Sequence, residues 1–150
     1  MNYELIMLKN ATRIQRTANI LTKELELVAL RSYDTTNWRD GTLGQIQAIS
    51  EISSQIEECN IFCNAVKKAL LMLAKGYRAL LVTVYFKRSD IVNLAQKYAV
   101  SRSTVYRKLG HAREMFLQAL NCLGYTEQWF TAHYGHYDFI SSPTYNKHKS

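Results

Sequence analysis

The residues best suited to chemistry lie in one short stretch, YAVSRSTVYRKLG, which spans residues 98–110. If this stretch is helical, side chains three and four positions apart share a face. An arginine can donate two hydrogen bonds to guanine, and a hydroxyl can bond a base edge or a phosphate. We therefore predict that four residues of one face contact the bases of double-stranded DNA: Arg102, Ser103, Tyr106 and Arg107.

The positive charge of the chain is concentrated around that stretch. The 150 residues have a net charge of +7. Residues 76–117 carry eight Lys or Arg against two acidic residues, whereas residues 1–75 carry nine against eight. Such a concentration on a compact unit is typical of a phosphate-binding surface. We predict phosphate contacts from six further residues: Lys87, Arg88, Lys97, Ser101, Thr104 and Arg113.

A series of short helices must position these side chains. The sequence GYRALLVTVYF, residues 76–86, predicts a strongly apolar helix, and the following KRS predicts a turn. Ser89 is predicted to cap the next helix, DIVNLAQKY, because a serine hydroxyl accepts a free N–H of the first turn. A tight turn at Ala99 comes next, and Ser101 is predicted to cap the basic helix in the same way.

The basic helix has its own buried face. Steps of four, three and four keep one set of apolar residues on one side of the helix: Val105, Leu109, Ala112 and Phe116. A short helix, a tight turn and a second helix with exposed basic residues at its start form a helix-turn-helix. The second helix of that motif enters the major groove. We therefore predict a helix-turn-helix DNA-binding domain over residues 76–123.

The stretch DIVNLAQKYAVSRSTVYRKLGHAREMF resembles the promoter-reading module of bacterial sigma factors, known as region 4. The shared features are the apolar pair before Ala95, the Val100-Ser101 turn exit, Val105, and Leu109 followed by Ala112 and Phe116. The order of parts is still more similar to the ArpU/RinA-type regulators of Gram-positive bacteria and their phages. Those proteins have a helical N-terminal half, then a short sequence similar to VYF, and then a sigma-like helix-turn-helix. The resemblance covers about residues 77–120 and implies transcriptional regulation through DNA binding.

The chain departs from this pattern in two places. Such turns usually carry glycine where this chain has Ala99, and a left-handed conformation costs alanine about 1 kcal/mol. Nothing in residues 1–75 resembles the promoter-melting domain of a complete sigma factor. The resemblance therefore implies regulation of transcription and not, by itself, initiation.

The first half of the chain carries an apolar stripe in each of two segments. The first stripe consists of Met7, Ala11, Ile14, Ala18, Leu21, Leu25 and Val28, and the second of Ile49, Ile52, Ile56, Cys59, Cys63, Val66, Leu70 and Leu73. Steps of three and four are typical of paired helices. Between the segments, SYDTTNWRDGTLG (32–44) has the composition of a loop. We predict a long, coiled-coil-like helical hairpin over 1–75, paired within the chain or with a second copy.

The last part of the chain, residues 124–150, is predicted to form a short helix and a frayed tail. Gly124 is expected to stop the basic helix, and Thr126 to cap a final helix, EQWF. The last ten or so residues are polar and aperiodic, so we expect them to fray. His133 and His136 are not predicted to form a metal site.

The remaining features limit the classes of function. Three cysteines and no apolar run of membrane-spanning length favour a reduced, cytoplasmic setting without a membrane contact. We assign Cys59 and Cys63, one helical turn apart, to core packing rather than to a metal. No constellation of catalytic residues is present, so we expect no enzyme, cofactor or metal. The alternative to a homodimeric DNA-binding regulator is an adaptor that binds RNA polymerase through the N-terminal hairpin.

Overall fold

The computed structural model of the chain describes residues 2–33 and 38–136. Within this part every regular element is a helix and there is no strand, which confirms the predicted all-α class. The helices are α1 (Tyr3–Tyr33), α2 (Trp38–Leu71), α3 (Lys75–Leu81), α4 (Ile91–Lys97), α5 (Arg102–Cys122) and α6 (Glu127–Tyr134). A π-helical segment, Val82–Phe86, continues α3. None of the described helices has the combination of length and apolarity that crossing a membrane requires.

The chain divides into two compact units. One consists of Asn10–Asn64, and the other of Met1–Lys9 together with Ala65–Ser150. The start of α1 and the end of α2 thus belong to the same unit as the basic helix α5. The predicted division at residue 75 does not coincide with this one.

Within Asn10–Asn64, α1 and α2 form an antiparallel hairpin. The Sγ of Cys63, late in α2, lies 3.8 Å from the carbonyl oxygen of Ala11, early in α1. The predicted apolar stripes are the covered positions of the two helices. Ala11, Ala18 and Ile52 are buried, and Ile14, Leu21, Leu25, Val28, Ile49, Ile56, Cys59 and Cys63 are half-buried.

The two cysteines of this hairpin are placed as packing residues. Burial raises the pKa of Cys63 to about 11, with a smaller contribution from the neighbouring Cys59. Burial also raises the pKa of Cys59, and Glu58 adds to the effect. The thiolate is the form that binds metals and reacts, so both environments disfavour that chemistry.

The predicted loop at residues 32–44 is wrong in its extent. α1 continues to Tyr33 and α2 begins at Trp38, so most of the stretch is helical, while residues 34–37 lie outside the described part. Asp, Asn, Thr and Gly each disfavour a helix by only about 1 kcal/mol or less. Pairing of two long amphipathic helices outweighs so weak a local preference.

The apolar helix predicted at residues 76–86 forms in two hydrogen-bonding patterns. Up to Leu81 it is an α-helix, and from Val82 it is a π-helix. The backbone N–H of Lys87 donates to the carbonyl oxygen of Val82, five residues earlier, at 3.0 Å. The π-helical turn thereby holds one residue more than an α-helical turn would.

Arg78 of α3 closes the end of α2. Its Nε donates to the carbonyl oxygen of Leu70 at 3.0 Å, and its Nη2 donates to that of Leu73 at 3.0 Å. The last carbonyl groups of a helix have no intrahelical donor, so a guanidinium at this place satisfies them. One of the eight basic residues of the 76–117 region therefore has a structural role.

The helix α4 is capped by Asp90, and the prediction of Ser89 was wrong. Oδ1 of Asp90 accepts the backbone N–H of Val92 at 3.2 Å. The N–H of Ser89 donates backwards to the carbonyl oxygen of Thr83 at 3.0 Å, across Arg88 with its left-handed φ of 53°. Ser89 therefore completes the end of the π-helical segment. Serine and aspartate are both favoured cap residues, so the local sequence does not decide between the adjacent Ser89 and Asp90.

The far end of α5 is closed as the sequence predicts. Gly124 has a φ of 89°, and the N–H of Tyr125 donates to the carbonyl oxygen of Leu120 at 2.8 Å. This is the bonding pattern of a Schellman motif. The hydroxyl of Tyr3 donates to the carbonyl oxygen of Tyr125 at 2.8 Å and so ties the start of α1 to this end of α5. Burial raises the pKa of Tyr3 to about 12, with added repulsion from Glu4 and Glu127.

The last helix, α6, is longer than the predicted EQWF. Thr126 Oγ1 accepts the N–H of Trp129 at 3.2 Å, which confirms the predicted cap. Phe130 is fully buried, and its ring centroid lies 5.6 Å from that of Tyr3. Trp129 is half-buried and packs edge-on to Tyr125. The predicted fraying of the last ten residues lies outside the described part of the chain.

Candidate nucleic-acid interface

The start of α5 is built around Ser101. Its Oγ accepts the backbone N–H of Thr104 at 3.1 Å and lies 2.9 Å from Thr104 Oγ1. This confirms the predicted cap. The hydrogen bond between the Ser101 and Thr104 hydroxyl groups uses the hydrogen of only one of them. The hydrogen of the second hydroxyl can therefore donate to an external acceptor. The backbone N–H groups of Arg102 and Ser103 have no intrahelical acceptor, which makes this helix start favourable for an anion.

The turn between α4 and α5 is closed by backbone hydrogen bonds. The N–H of Ala99 donates to the carbonyl oxygen of Gln96 at 3.2 Å, and that of Val100 to Ala95 at 3.0 Å. Ala99 has a φ of 53°. Alanine thus takes the left-handed conformation that glycine adopts more easily, at a cost of about 1 kcal/mol. The motif places Val100 in the apolar cluster, which offsets that cost.

The inward face of α5 is the predicted one. Val105 is 4% exposed, Leu109 8%, and Ala112 and Phe116 are fully buried. α5 packs against both α3 and α4 through this face. Its apolar cluster consists of Leu94, Ala95 and Val105, with Leu80, Val84, Ile91 and Val100 packed around them. These contacts fix which side of α5 is left to the solvent.

The four residues predicted to contact bases are all exposed. They lie within the first two turns of α5: Arg102, Ser103, Tyr106 and Arg107. Tyr106 has 59% of its surface exposed, so it does not serve the packing of a neighbouring helix. The structure therefore brings two guanidinium groups and two hydroxyl groups together on one accessible surface.

Three of the basic residues predicted to contact phosphates lie outside α5. Lys87 and Arg88 precede α4, Lys97 ends it, and all three are exposed. Lys97 Nζ lies 5.7 Å from the ring centroid of Tyr98, at the distance of a cation–π contact. The two ends of α4 therefore carry positive charge.

Arg113 does not share the exposure that the helical wheel predicts. It is half-buried, and its Nε is enclosed without a hydrogen-bond partner in the described structure. Burial raises the pKa of Tyr85, and a hydrogen bond and the charge of Arg113 partly offset that rise. Arg113 thus contacts the π-helical segment. Arg113 lies at the edge of the buried face of α5. A side chain at that position can either pack against the protein or extend into the solvent.

The basic residues of the 76–117 region therefore separate into two groups. Arg78 caps α2, and Arg113 packs against Tyr85. The other six are exposed: Lys87, Arg88, Lys97, Arg102, Arg107 and Lys108. Most of the positive charge in this part of the chain is thus available to a ligand.

Three exposed residues of α5 extend the predicted set. Lys108 and His111 are exposed beside Arg107, and Gly110 lies one turn after Tyr106. A Cβ added at Gly110 would meet nothing within 4 Å. No packing contact within the described chain accounts for a glycine in the middle of this helix. A helical wheel of residues 102–116 is the signal that identifies all three.

Comparison of the chain with protein-family models, with curated proteins and with solved structures gives no match.

Proposed function

We propose that the chain is a cytoplasmic, sequence-specific DNA-binding regulator of transcription, of the ArpU/RinA type. In this proposal α4 and α5 form a sigma region 4-like helix-turn-helix. α5 is its recognition helix, and the first two turns of α5 enter the major groove of double-stranded DNA.

The observation that carries this proposal is that one face of α5 is buried while the arginines on its other face are exposed. Val105, Leu109 and Phe116 are committed to the interior, whereas Arg102 and Arg107 are free at the surface. The major groove admits an α-helix, and the residues at the start of a recognition helix reach the base edges. A rigid helix with two exposed arginines in its first two turns meets that requirement.

The groups around the start of α5 supply the phosphate contacts of the proposed complex. The Ser101–Thr104 pair offers a hydroxyl donor, and the N–H groups of Arg102 and Ser103 add backbone donors. The exposed side chains of Lys87, Arg88 and Lys97 add positive charge, and Arg113 contributes less because it is half-buried. Phosphate contacts of this kind position a protein on DNA without reading its sequence.

In vitro selection of DNA from a random library tests the proposal. We expect a defined site to be enriched, and the double variant Arg102→Ala, Arg107→Ala to lose preference for it. Each lost base contact should cost about 1–3 kcal/mol. The matched control is Arg16→Ala, Lys23→Ala, which removes the same charge from exposed positions of α1. Equal loss in both variants, or no enriched site, would contradict sequence-specific recognition.

We propose that the hairpin of Asn10–Asn64 contacts a second copy of the chain to form a homodimer. It exposes five large aliphatic side chains by more than half of their surface: Ile20, Leu27, Leu30, Leu43 and Ile46. Ile20, Leu27 and Leu30 recur at steps of seven and three along α1 and so share one face, and an exposed apolar face favours a protein contact. A homodimer would give a DNA site with two half-sites spaced by one or a few helical turns. Light scattering at micromolar concentration measures the stoichiometry.

The same exposed aliphatic residues favour a second candidate, an adaptor that binds RNA polymerase through the hairpin. Salt separates the two functions. Affinity for DNA falls steeply with salt because each phosphate contact releases counterions, with a log–log slope of about −0.9 per contact. A complex that forms only with polymerase and resists salt would favour the adaptor.

A further inference from the structure

A half-open apolar cavity lies beside the turn that joins α4 to α5. Its volume is about 480 Å³, within the range of small-molecule sites. Four residues of the apolar cluster form its floor: Leu80, Leu94, Val100 and Val105. Walls of this kind give water few hydrogen bonds. An apolar group is therefore the favoured occupant.

The rim of the cavity carries hydrogen-bond donors. Tyr77, Tyr98 and Lys108 line the cavity, and their side chains carry two hydroxyl groups and one ammonium group. Thr83 also lines the cavity, but its hydroxyl donates to the carbonyl oxygen of Ala79 at 2.7 Å. None of the described residues that line the cavity is acidic. The rim therefore favours a ligand whose polar end is an acceptor with negative charge.

The position of Lys108 on α5 explains its place at the cavity. It follows Val105 by three residues, so the two side chains lie on the same side of the helix. Lys97 stands 5.7 Å from the ring centroid of Tyr98 and adds a second positive charge near the rim. The apolar floor and the cationic rim thus complement the two ends of one amphipathic molecule.

We propose that this cavity binds an amphipathic organic anion. Its apolar body lies against Leu80, Leu94 and Val105, and its carboxylate lies at the rim beside Lys108. This site is distinct from the exposed arginines of α5, and its occupation does not depend on DNA.

The proposal is tested by calorimetric titration of the full chain with decanoate. Decanol, which has the same chain length but no charge, is the control ligand. We expect decanoate to bind saturably at one site and severalfold more tightly than decanol. Lys108→Gln should weaken decanoate binding about two- to fivefold, the range of a solvent-exposed ion pair, and leave decanol unchanged. The control Lys87→Gln removes an exposed lysine outside the cavity and should change neither ligand.

A cavity-filling variant completes the test. Ala79 is exposed at the cavity, so Ala79→Trp should occupy the space without disturbing the core and should abolish binding of both ligands. Equal affinity for decanol and decanoate, no saturable binding, or unchanged binding in Lys108→Gln would overturn the proposal. Because no DNA is present, failure here leaves the proposed DNA-binding function standing, and failure of DNA selection leaves this site standing.

Discussion

The two halves of α5 differ in what holds them and in what they expose. The first half begins at the Ser101 cap, and between Arg102 and Gly110 it buries only Val105 and Leu109. The second half buries Ala112, Phe116, Ala119 and Leu120 and ends in contact with Tyr3 through Tyr125. Most of the buried side chains of α5 thus lie in its second half, and the exposed arginines and hydroxyl groups lie in its first half. A single helix can therefore present charged groups at its start because its end is firmly packed.

The largest effect should come from the packed half. Phe116→Ala removes a fully buried ring and should lower the free energy of unfolding by about 3–5 kcal/mol, measured by urea denaturation. Met115→Ala is the neighbouring control, because Met115 is 39% exposed. A similar loss in both variants would show that burial of Phe116 does not account for the stability of this half.

A smaller effect is expected at the start of α5. Ser101→Ala removes the oxygen that accepts the N–H of Thr104 and should cost about 1 kcal/mol of stability. Ser103→Ala, in the same turn, removes an exposed hydroxyl without a capping role and should change stability by less than about 0.5 kcal/mol. If Ser101→Ala proved as harmless as Ser103→Ala, the cap would not contribute to the fold.

At the packed end, Tyr3→Phe should cost about 1 kcal/mol, because the variant loses the hydrogen bond to the carbonyl oxygen of Tyr125. The wild type has a further pH dependence. The fold raises the pKa of Tyr3 from 10.0 to about 12 and so favours the protonated phenol. The stabilisation of the folded state by the protonated phenol of Tyr3 is complete below pH 10 and is lost as the pH rises toward 12.

Urea denaturation at pH 8 and pH 11 measures both effects. The difference in stability between the wild type and Tyr3→Phe should shrink at the higher pH. Tyr106→Phe is the control for the substitution itself, because it removes a phenol hydroxyl from an exposed tyrosine. A difference that stays constant with pH would show that the phenol of Tyr3 is not protected by the fold.

The smallest effect concerns the exposed half. Gly110→Ala should raise stability by about 0.5–1 kcal/mol, because glycine is unfavourable inside a helix and the new Cβ meets nothing. Gly44→Ala in α2 should gain a similar amount. If DNA approaches α5 closely, only Gly110→Ala will also bind DNA less tightly. Unchanged DNA affinity would place Gly110 outside the contact surface.

The sequence predicts those features of the fold that depend on regular periodicity. Steps of three and four identified both stripes of the hairpin and the buried face of α5, because burial follows helical geometry over several turns. The caps at Ser101 and Thr126 were predictable because each precedes a clear amphipathic run. A tight turn at Ala99 was predicted from the sequence, whereas alanine gives no signal for the left-handed conformation that it adopts there.

Other features depend on contacts that a single periodic pattern does not contain. The π-helical turn after Leu81 adds one residue to a helix without changing its composition. The adjacent Ser89 and Asp90 are both favoured cap residues, so the local sequence does not decide which of them caps α4. Arg78 and Arg113 have the same side chain as the exposed arginines, and only tertiary contacts distinguish them. The exposure of Arg102 and Arg107 was predictable from the wheel of α5, whereas the cavity beside Lys108 required the packing of three helices.

The uninterrupted course of α5 also has a practical consequence. Cys122, its last residue, is exposed, whereas the other two cysteines, Cys59 and Cys63, are half-buried. Twenty residues of α-helix separate Cys122 from Arg102 by about 30 Å. A fluorophore attached there would travel rigidly with the arginine-bearing turn and remain clear of it. The native protein thus already contains an exposed thiol to which a probe can be attached for testing DNA binding by that turn.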